Sequence, residues 1–329
     1  MKFLLMFVSL LFLAQVTLLP QVFKKDFPFA HTFSIVAYDS ITGDMGVAVQ
    51  SHWFSVGTIV TWGEAGVGVI ATQSFVNPAF GPDGLKLLKK GLSPKEVVNK
   101  LISEDDGRDF RQLAVLDSKG RAAAYTGKKC IESAGDVQGE GFSAQANMML
   151  NDKVWPAMAE SFNNSKGVLA ERLVAALEAA QKAGGDIRGK QSAALLVVSG
   201  KPTGKVWKDR KVDLRVEDNS EPIKEIKRLL KVHQAYEHMN NGDLAVEKNN
   251  MKLAMEEYSA AEKMFPDNLE MKYWTAVALA NNGELEKSLP IFKEVFSKDK
   301  NWKTLTKRIT KNGLLTVDGK SLNKILSIK

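Results

Sequence analysis

The chain has 329 residues, 44% hydrophobic and 25% charged, with a formal net charge of +7. This length and balance exclude a disordered or fibrous chain and point to two domains, each with a real core. Cys130 is the only cysteine, which excludes an intramolecular disulfide; it reads as a small buried hydrophobe.

Lys2 precedes an apolar run over 3–14, and Gln15 and Pro20 follow it. That pattern reads as a secretory signal peptide over 1–21, too short for an integral membrane span. Residues 22–31 then form a linker or pro-segment, and no clean cleavage site marks where the mature chain begins. Next come a strand at 32–38, a turn-rich stretch at 39–44, and a return strand at 45–51. A second strand pair is expected at 58–62 and 67–73, so that four strands precede any helix. If processing ends at His31, Thr32 carries a free α-amine beside its own hydroxyl, a recognised way to activate threonine as a nucleophile. The plainer alternative is a β-branched residue that opens a strand.

A helix starts at Pro82 and stops at Gly91, and a second begins with Ser93, Pro94 and Glu96 in a capping box. Strands return at 111–116 and 121–125, a glycine-rich connection carries Gly135, Gly139 and Gly141, and a strand at 142–148 follows. Helices near 153–162 and 169–182 precede strands at 192–199 and 212–216. Helices that arrive in pairs argue against a doubly wound parallel sheet. Two sheets packed face to face, with a helix pair outside each, would bury these elements: an α+β fold.

From Ile223 the pattern turns wholly helical, with the domain boundary read at 232/233. Ala254, Tyr258, Ala261 and Pro266 recur 34 residues later as Ser288, Phe292, Val295 and Lys300, and Gly283 falls in a helix–helix turn. This period and spacing are those of tetratricopeptide units, so residues 233–329 are expected to form a small all-α domain offering a surface to a protein partner. Residues 298–329 hold nine basic side chains against two acidic ones. The surplus reads as a solvated helical face, with cell-wall polymer or another polyanion as the alternative contact. No aromatic interleaving suggests nucleic acid.

Familiar catalytic signatures are missing. His233 and His238 lie five apart, a poor metal pair on a helix, and neither a phosphate loop, a dinucleotide fingerprint nor a Gly-x-Ser-x-Gly elbow occurs. No metal and no cofactor are expected.

Several stretches carry a resemblance: Thr-Phe-Ser-Ile-Val-Ala from Thr32, Gly-Val-Ala-Val-Gln-Ser ending at Ser51, and Gly-Val-Gly-Val-Ile-Ala-Thr-Gln-Ser over 66–74. So do Asn-Pro-Ala-Phe-Gly-Pro-Asp-Gly-Leu over 77–85, Arg-Gln-Leu-Ala-Val-Leu-Asp over 111–117, and Thr-Gly-x-x-Cys over 126–130. The last are Gly-Gly-Asp-x-Arg-Gly-x-Gln-Ser-Ala-Ala-Leu-Leu over 184–196 and Asp-Leu-Arg-Val-Glu-Asp over 213–218. In this order, across 32–232, they resemble the Ntn-hydrolase-like family known as domain of unknown function 1028.

The resemblance implies a four-layer αββα sandwich. In the Ntn-hydrolase superfamily the first residue of the mature chain attacks an amide carbonyl, with its own α-amine as base. Thr32 stands at that position, and a small amide or peptide-like substrate is implied. Asn147, at the end of a strand after a glycine-rich loop, is the expected side-chain oxyanion donor, with Ser51 as a further catalytic candidate. Gln50, His52 and Gln73, at strand ends beside the first strand, are the expected substrate contacts. Asp186 and Arg188 read as bridging a helix-to-strand turn. The expected protein is an exported amidohydrolase, with assembly as a homo-oligomer. The alternative is a non-catalytic binding module that engages partners through its helical tail.

Overall fold

The structure, a computed structural model, describes residues 29–328. The expected signal peptide and residues 22–28 of the expected pro-segment lie outside the described residues. The chain divides into two compact units, the first ending at Pro222 and the second beginning at Ile223.

The first unit is mixed α+β. Its strands are β1 (Phe29–Ala30), β2 (Thr32–Tyr38), β3 (Met45–Ser51), β4 (Thr61–Glu64), β5 (Gly68–Phe75), β6 (Arg111–Asp117), β7 (Ala122–Thr126), β8 (Gly135–Gly139), β9 (Phe142–Ala146), β10 (Ser192–Val198) and β11 (Arg210–Val216). Its helices are α1 (Gly57–Val60), α2 (Phe80–Lys89), α3 (Pro94–Ser103), α4 (Val154–Asn164), α5 (Leu169–Lys182) and α6 (Val206–Asp209). One antiparallel sheet runs β1-β5-β6-β7, with β4 also on β5, and the other runs β11-β10-β3-β2-β9-β8.

Strand alternation decides which side chains go where. Val36, Val47 and Val49 meet Val69, Ala71, Ala114 and Leu116 in one apolar cluster between the sheets. The intervening residues Ile70, Leu113 and Val115 face the other way and pack with Leu85, Leu88, Val97 and Leu101 of α2 and α3. On the second sheet α5 packs on β2 and β3, and α4 on β8 and β9. There the Phe142 and Phe162 rings lie 5.2 Å apart. Gly46 sets the closeness of α5 to β3, since a Cβ there would stand 2.5 Å from Leu173 Cδ1. Burying side chains of this size is worth roughly 1.5–3 kcal/mol each, which makes these faces the main source of stability.

Several sequence expectations need correction. The strand expected at 58–62 is instead the helical turn α1 followed by β4. Gly57 lies so close to β10 and β11 that a Cβ would sit 2.6 Å from that of Ala194, and the Ser55 amide is tied to the Glu217 carbonyl. Two more strands exist than were read: β8, hidden in the glycine-rich connection, and β1, inside the supposed linker. The strand expected to reach Met148 stops at Ala146, because Met148 turns into the left-handed region at φ 59°. The capping box stands as expected: Ser93 Oγ accepts from the Glu96 amide, and the Glu96 carboxylate accepts from the Ser93 amide.

The second unit is helical: α7 (Pro222–Glu247), α8 (Met251–Met264), α9 (Leu269–Asn281), α10 (Leu285–Lys298), α11 (Asn301–Lys311) and α12 (Gly319–Leu326). Because α7 runs unbroken from Pro222, the units divide at the start of this helix, about ten residues before the expected boundary. Among the described residues no helix is long and apolar enough to cross a membrane.

Phe162, 2% exposed, is a test of the packing of α4. Phe162→Ala should cost about 3–5 kcal/mol, read as a lower urea midpoint with an unchanged m-value.

Candidate functional site

The inner face of β2 reads Thr32, Ser34, Val36, so one end of the inter-sheet space is polar and the other apolar. Antiparallel pairing makes several strands contribute their ends to that polar end. Thr32 lies opposite Ser51, the last residue of β3. Gln73 near the end of β5 lies opposite Gln112 near the start of β6, and Gln112 lies opposite Thr126 at the end of β7. β9 brings Gln145, opposite Ser34, and then Asn147.

Ser34, Gln73, Gln112, Gln145 and Asn147 are wholly buried and bond to one another, with the half-buried Thr126 at the edge. Gln145 Nε2 donates to Ser34 Oγ at 2.6 Å, and Ser34 Oγ donates to Gln73 Oε1 at 2.6 Å. Gln112 Oε1 accepts from Gln73 Nε2 at 2.7 Å and from Asn147 Nδ2 at 2.8 Å. Gln112 Nε2 in turn donates to Thr126 Oγ1 and to the Ala146 carbonyl, both at 2.9 Å. Thr126 Oγ1 donates to Asp136 at 2.7 Å. A buried donor without a partner costs about 1–3 kcal/mol, so the network must be complete to be tolerated.

Thr32 is fully buried, and its hydroxyl donates to the Ala30 carbonyl at 2.6 Å. Its own carbonyl accepts from the Asn147 amide at 3.1 Å and from Gln73 Nε2 at 3.3 Å. The carbonyl just before it, that of His31, accepts from Ser51 Oγ at 2.6 Å and from Arg188 Nη2 at 2.8 Å. Arg188 is held by the fully buried Asp186 carboxylate, at 3.0 Å from Nε and 2.7 Å from Nη2. Gly185 at φ 64° and Gly189 at φ 117° provide the backbone turns on either side of this pair. The peptide carbonyl joining His31 to Thr32 thus sits between a hydroxyl and a guanidinium, an arrangement suited to a developing oxyanion.

Of the residues singled out from sequence, Thr32, Ser51, Gln73 and Asn147 converge here. Asn147 does so differently from expectation: its Nδ2 is committed to Gln112, and its Oδ1 accepts from His31 Nδ1 at 2.8 Å. Gln50 lies opposite Phe33, so it is on the other face of the sheet from Thr32. His52 has an exposed ring and reaches the site only through its amide, which donates to Asp186 at 3.2 Å. Arg188, Asp186 and Gln112 are functional candidates that the sequence reading did not assign to the site. The glycine flanks of Asp186 and Arg188 were the available signal. The Cys130 thiol donates to the Arg111 carbonyl, and burial pushes its pKa up, away from thiolate chemistry. Among the described residues no cluster suits a metal ion.

His31 is 2% exposed, its ring edge-on to Phe75 at 5.3 Å. Burial lowers its pKa; the hydrogen bond to Asn147 works against that, Arg188 adds to it, and Asp186 opposes it. The folded chain therefore prefers neutral His31. Its contribution is complete above the ordinary value of 6.5 and is lost as pH falls through the lowered one.

The sequence matches the model of a family described only as being of unknown function, DUF1028, over residues 32–226. No curated protein matches the chain. Among solved structures it is similar to the crystal structure of protein SPO2555 from Silicibacter pomeroyi, itself described by the same family model. That match has a TM-score of 0.56 and 35% identity, and covers 61% of this chain and 85% of that one.

Two outcomes are expected. Gln112→Leu, which takes the acceptor from Gln73 and Asn147, should lower urea stability by about 1–3 kcal/mol for each orphaned donor. Wild-type stability should fall as pH drops below 6.5, and His31→Asn should flatten that slope in urea melts across the range.

Proposed function

The chain belongs to the DUF1028 family of unknown function, and from that footing we propose that it is an amide hydrolase whose nucleophile is Thr32, freed by removal of the residues before it. One observation carries the reading: the carbonyl adjoining Thr32 is gripped by Ser51 Oγ and Arg188 beside a wholly buried threonine hydroxyl. Two antiparallel sheets with helices packed on each support the further reading of an Ntn-hydrolase-like αββα sandwich.

In the proposed reaction the neutral α-amine of Thr32 takes the proton from Oγ1 as that oxygen bonds to the substrate's carbonyl carbon. An α-amine has a pKa of about 8, so near neutrality part of it is already free to act. The oxyanion takes the place now held by the His31 carbonyl, against Ser51 and Arg188. Collapse breaks the carbon–nitrogen bond, and the proton on the amine passes to the leaving nitrogen. Water then attacks the threonine ester, giving up a proton to the same amine, and the acid leaves as Oγ1 is protonated again. Asp186 orients Arg188, Gln73 holds the Thr32 carbonyl, and Asn147 supplies an acceptor where the His31 ring now sits.

Export, with loss of the leader through His31, belongs to this proposal and is supported by the apolar run over 3–14 after Lys2. A tetratricopeptide-like docking role for the helical unit is supported by Ala254, Tyr258 and Ala261 of α8 and Ser288, Phe292 and Val295 of α10. All six are buried, and the two sets are 34 residues apart.

N-terminal sequencing of the secreted protein should begin at Thr32. On a panel of amides and lactones, Thr32→Ala should abolish turnover, and Arg188→Ala should lower kcat by about 10²–10³. A mature chain beginning before Thr32, or full activity in Thr32→Ala, sinks the proposal.

A further inference from the structure

β4 pairs with β5 only from Gly68 to Ala71. On that same side, β1 resumes the pairing, with Ala30 opposite Ser74 and Phe29 opposite Phe75. Where β1 joins, β5 departs from regular strand geometry: Ser74, opposite Ala30, has φ 73°, a conformation costly for any residue but glycine and most often retained at binding sites. The Phe75 carbonyl is fixed from behind by Arg111, whose guanidinium also pairs with Asp105. Residues 29–31 therefore lie as an added strand that ends in a seated side chain and a carbonyl between two donors. His31 meets Phe75 edge-on and donates to Asn147, and its carbonyl enters the Ser51–Arg188 pair.

We infer that this is a built acyl-side subsite and that its ligands are extended peptides. The residue supplying the carbonyl takes the place of His31, and the two before it add a strand to the open edge of β5. Preference at the carbonyl residue follows from the amide network. Asn147 spends its Nδ2 on Gln112 and on the Thr32 carbonyl and so presents only an acceptor, which suits a neutral donor side chain and refuses a carboxylate. The inference rests on the Thr32 reading for its chemistry, while the subsite itself is a matter of binding.

The test is calorimetric titration of the chain beginning at residue 32 and carrying Thr32→Ala, its fold checked by circular dichroism. Ac-Phe-Ala-His should bind, and Ac-Phe-(D-Ala)-His and Ac-Phe-Ala-Glu should bind at least tenfold more weakly. No binding to the folded chain, or equal binding of all three, overturns the inference. A second measurement uses the full chain and needs no truncation. His31→Glu should speed hydrogen exchange of the peptide covering 72–76 at least tenfold, and unchanged exchange also overturns it. Binding without turnover of Ac-Phe-Ala-His amides by the chain starting at Thr32 supports the subsite and sinks only the catalytic reading. Turnover of small amides with no gain from the peptide sinks the subsite and spares Thr32.

Discussion

Four carboxamides, Gln73, Gln112, Gln145 and Asn147, are buried without any exposure between two sheets, and the fold depends on all of them finding partners. Gln112 is the hub, accepting from two amides and donating to a strand neighbour and a main-chain carbonyl. Such a layer is stable only at one register of strand pairing, because a slip of one residue would turn a strand's groups to the opposite face. The apolar cluster further along the same strands supplies most of the stability, and the amides fix which arrangement the cluster takes. Positioning of Thr32 is thereby inherited from the strands.

The turn bearing Asp186 and Arg188 lies outside that layer and approaches the candidate site from the His31 carbonyl. A guanidinium brought near a buried carbonyl carries a desolvation cost, and the fully buried carboxylate beside it offsets that cost while fixing its direction. The candidate site thus joins two kinds of construction, a neutral network set by strand register and a charged clamp set by glycine turns.

Much of the fold was legible because hydrophobic periodicity and turn chemistry are local signals. The β2–β3 hairpin, the capped helix from Pro94 and the paired helices all express themselves within a dozen residues. The elements missed were those whose cause is tertiary. β8 consists of residues with poor strand propensity and exists because β9 pairs with it, and α1 takes its shape from the closeness of β10 and β11. The same division holds for the site. Thr32, Ser51 and Gln73 stand at strand ends and could be named from position, whereas Gln50, one residue from Ser51, proved to face away once the pleat was fixed. Arg188 is 156 residues from Thr32 in sequence, and only the folded turn brings it to the His31 carbonyl.

Between the sheets, the side chains lining the polar end are hydroxyls and carboxamides: Thr32, Ser34, Ser51, Gln73, Gln112, Ser143, Gln145 and Asn147. None of these gains or loses a proton across the ordinary range of pH. The interior is therefore a proton insulator, able to orient dipoles but not to store charge. In the reaction proposed at Thr32, any proton moved has to be carried by the freed terminal amine, the reactants or water. The titratable side chains beside it, His31, Asp186, Arg188 and Asp136, stand at its margin.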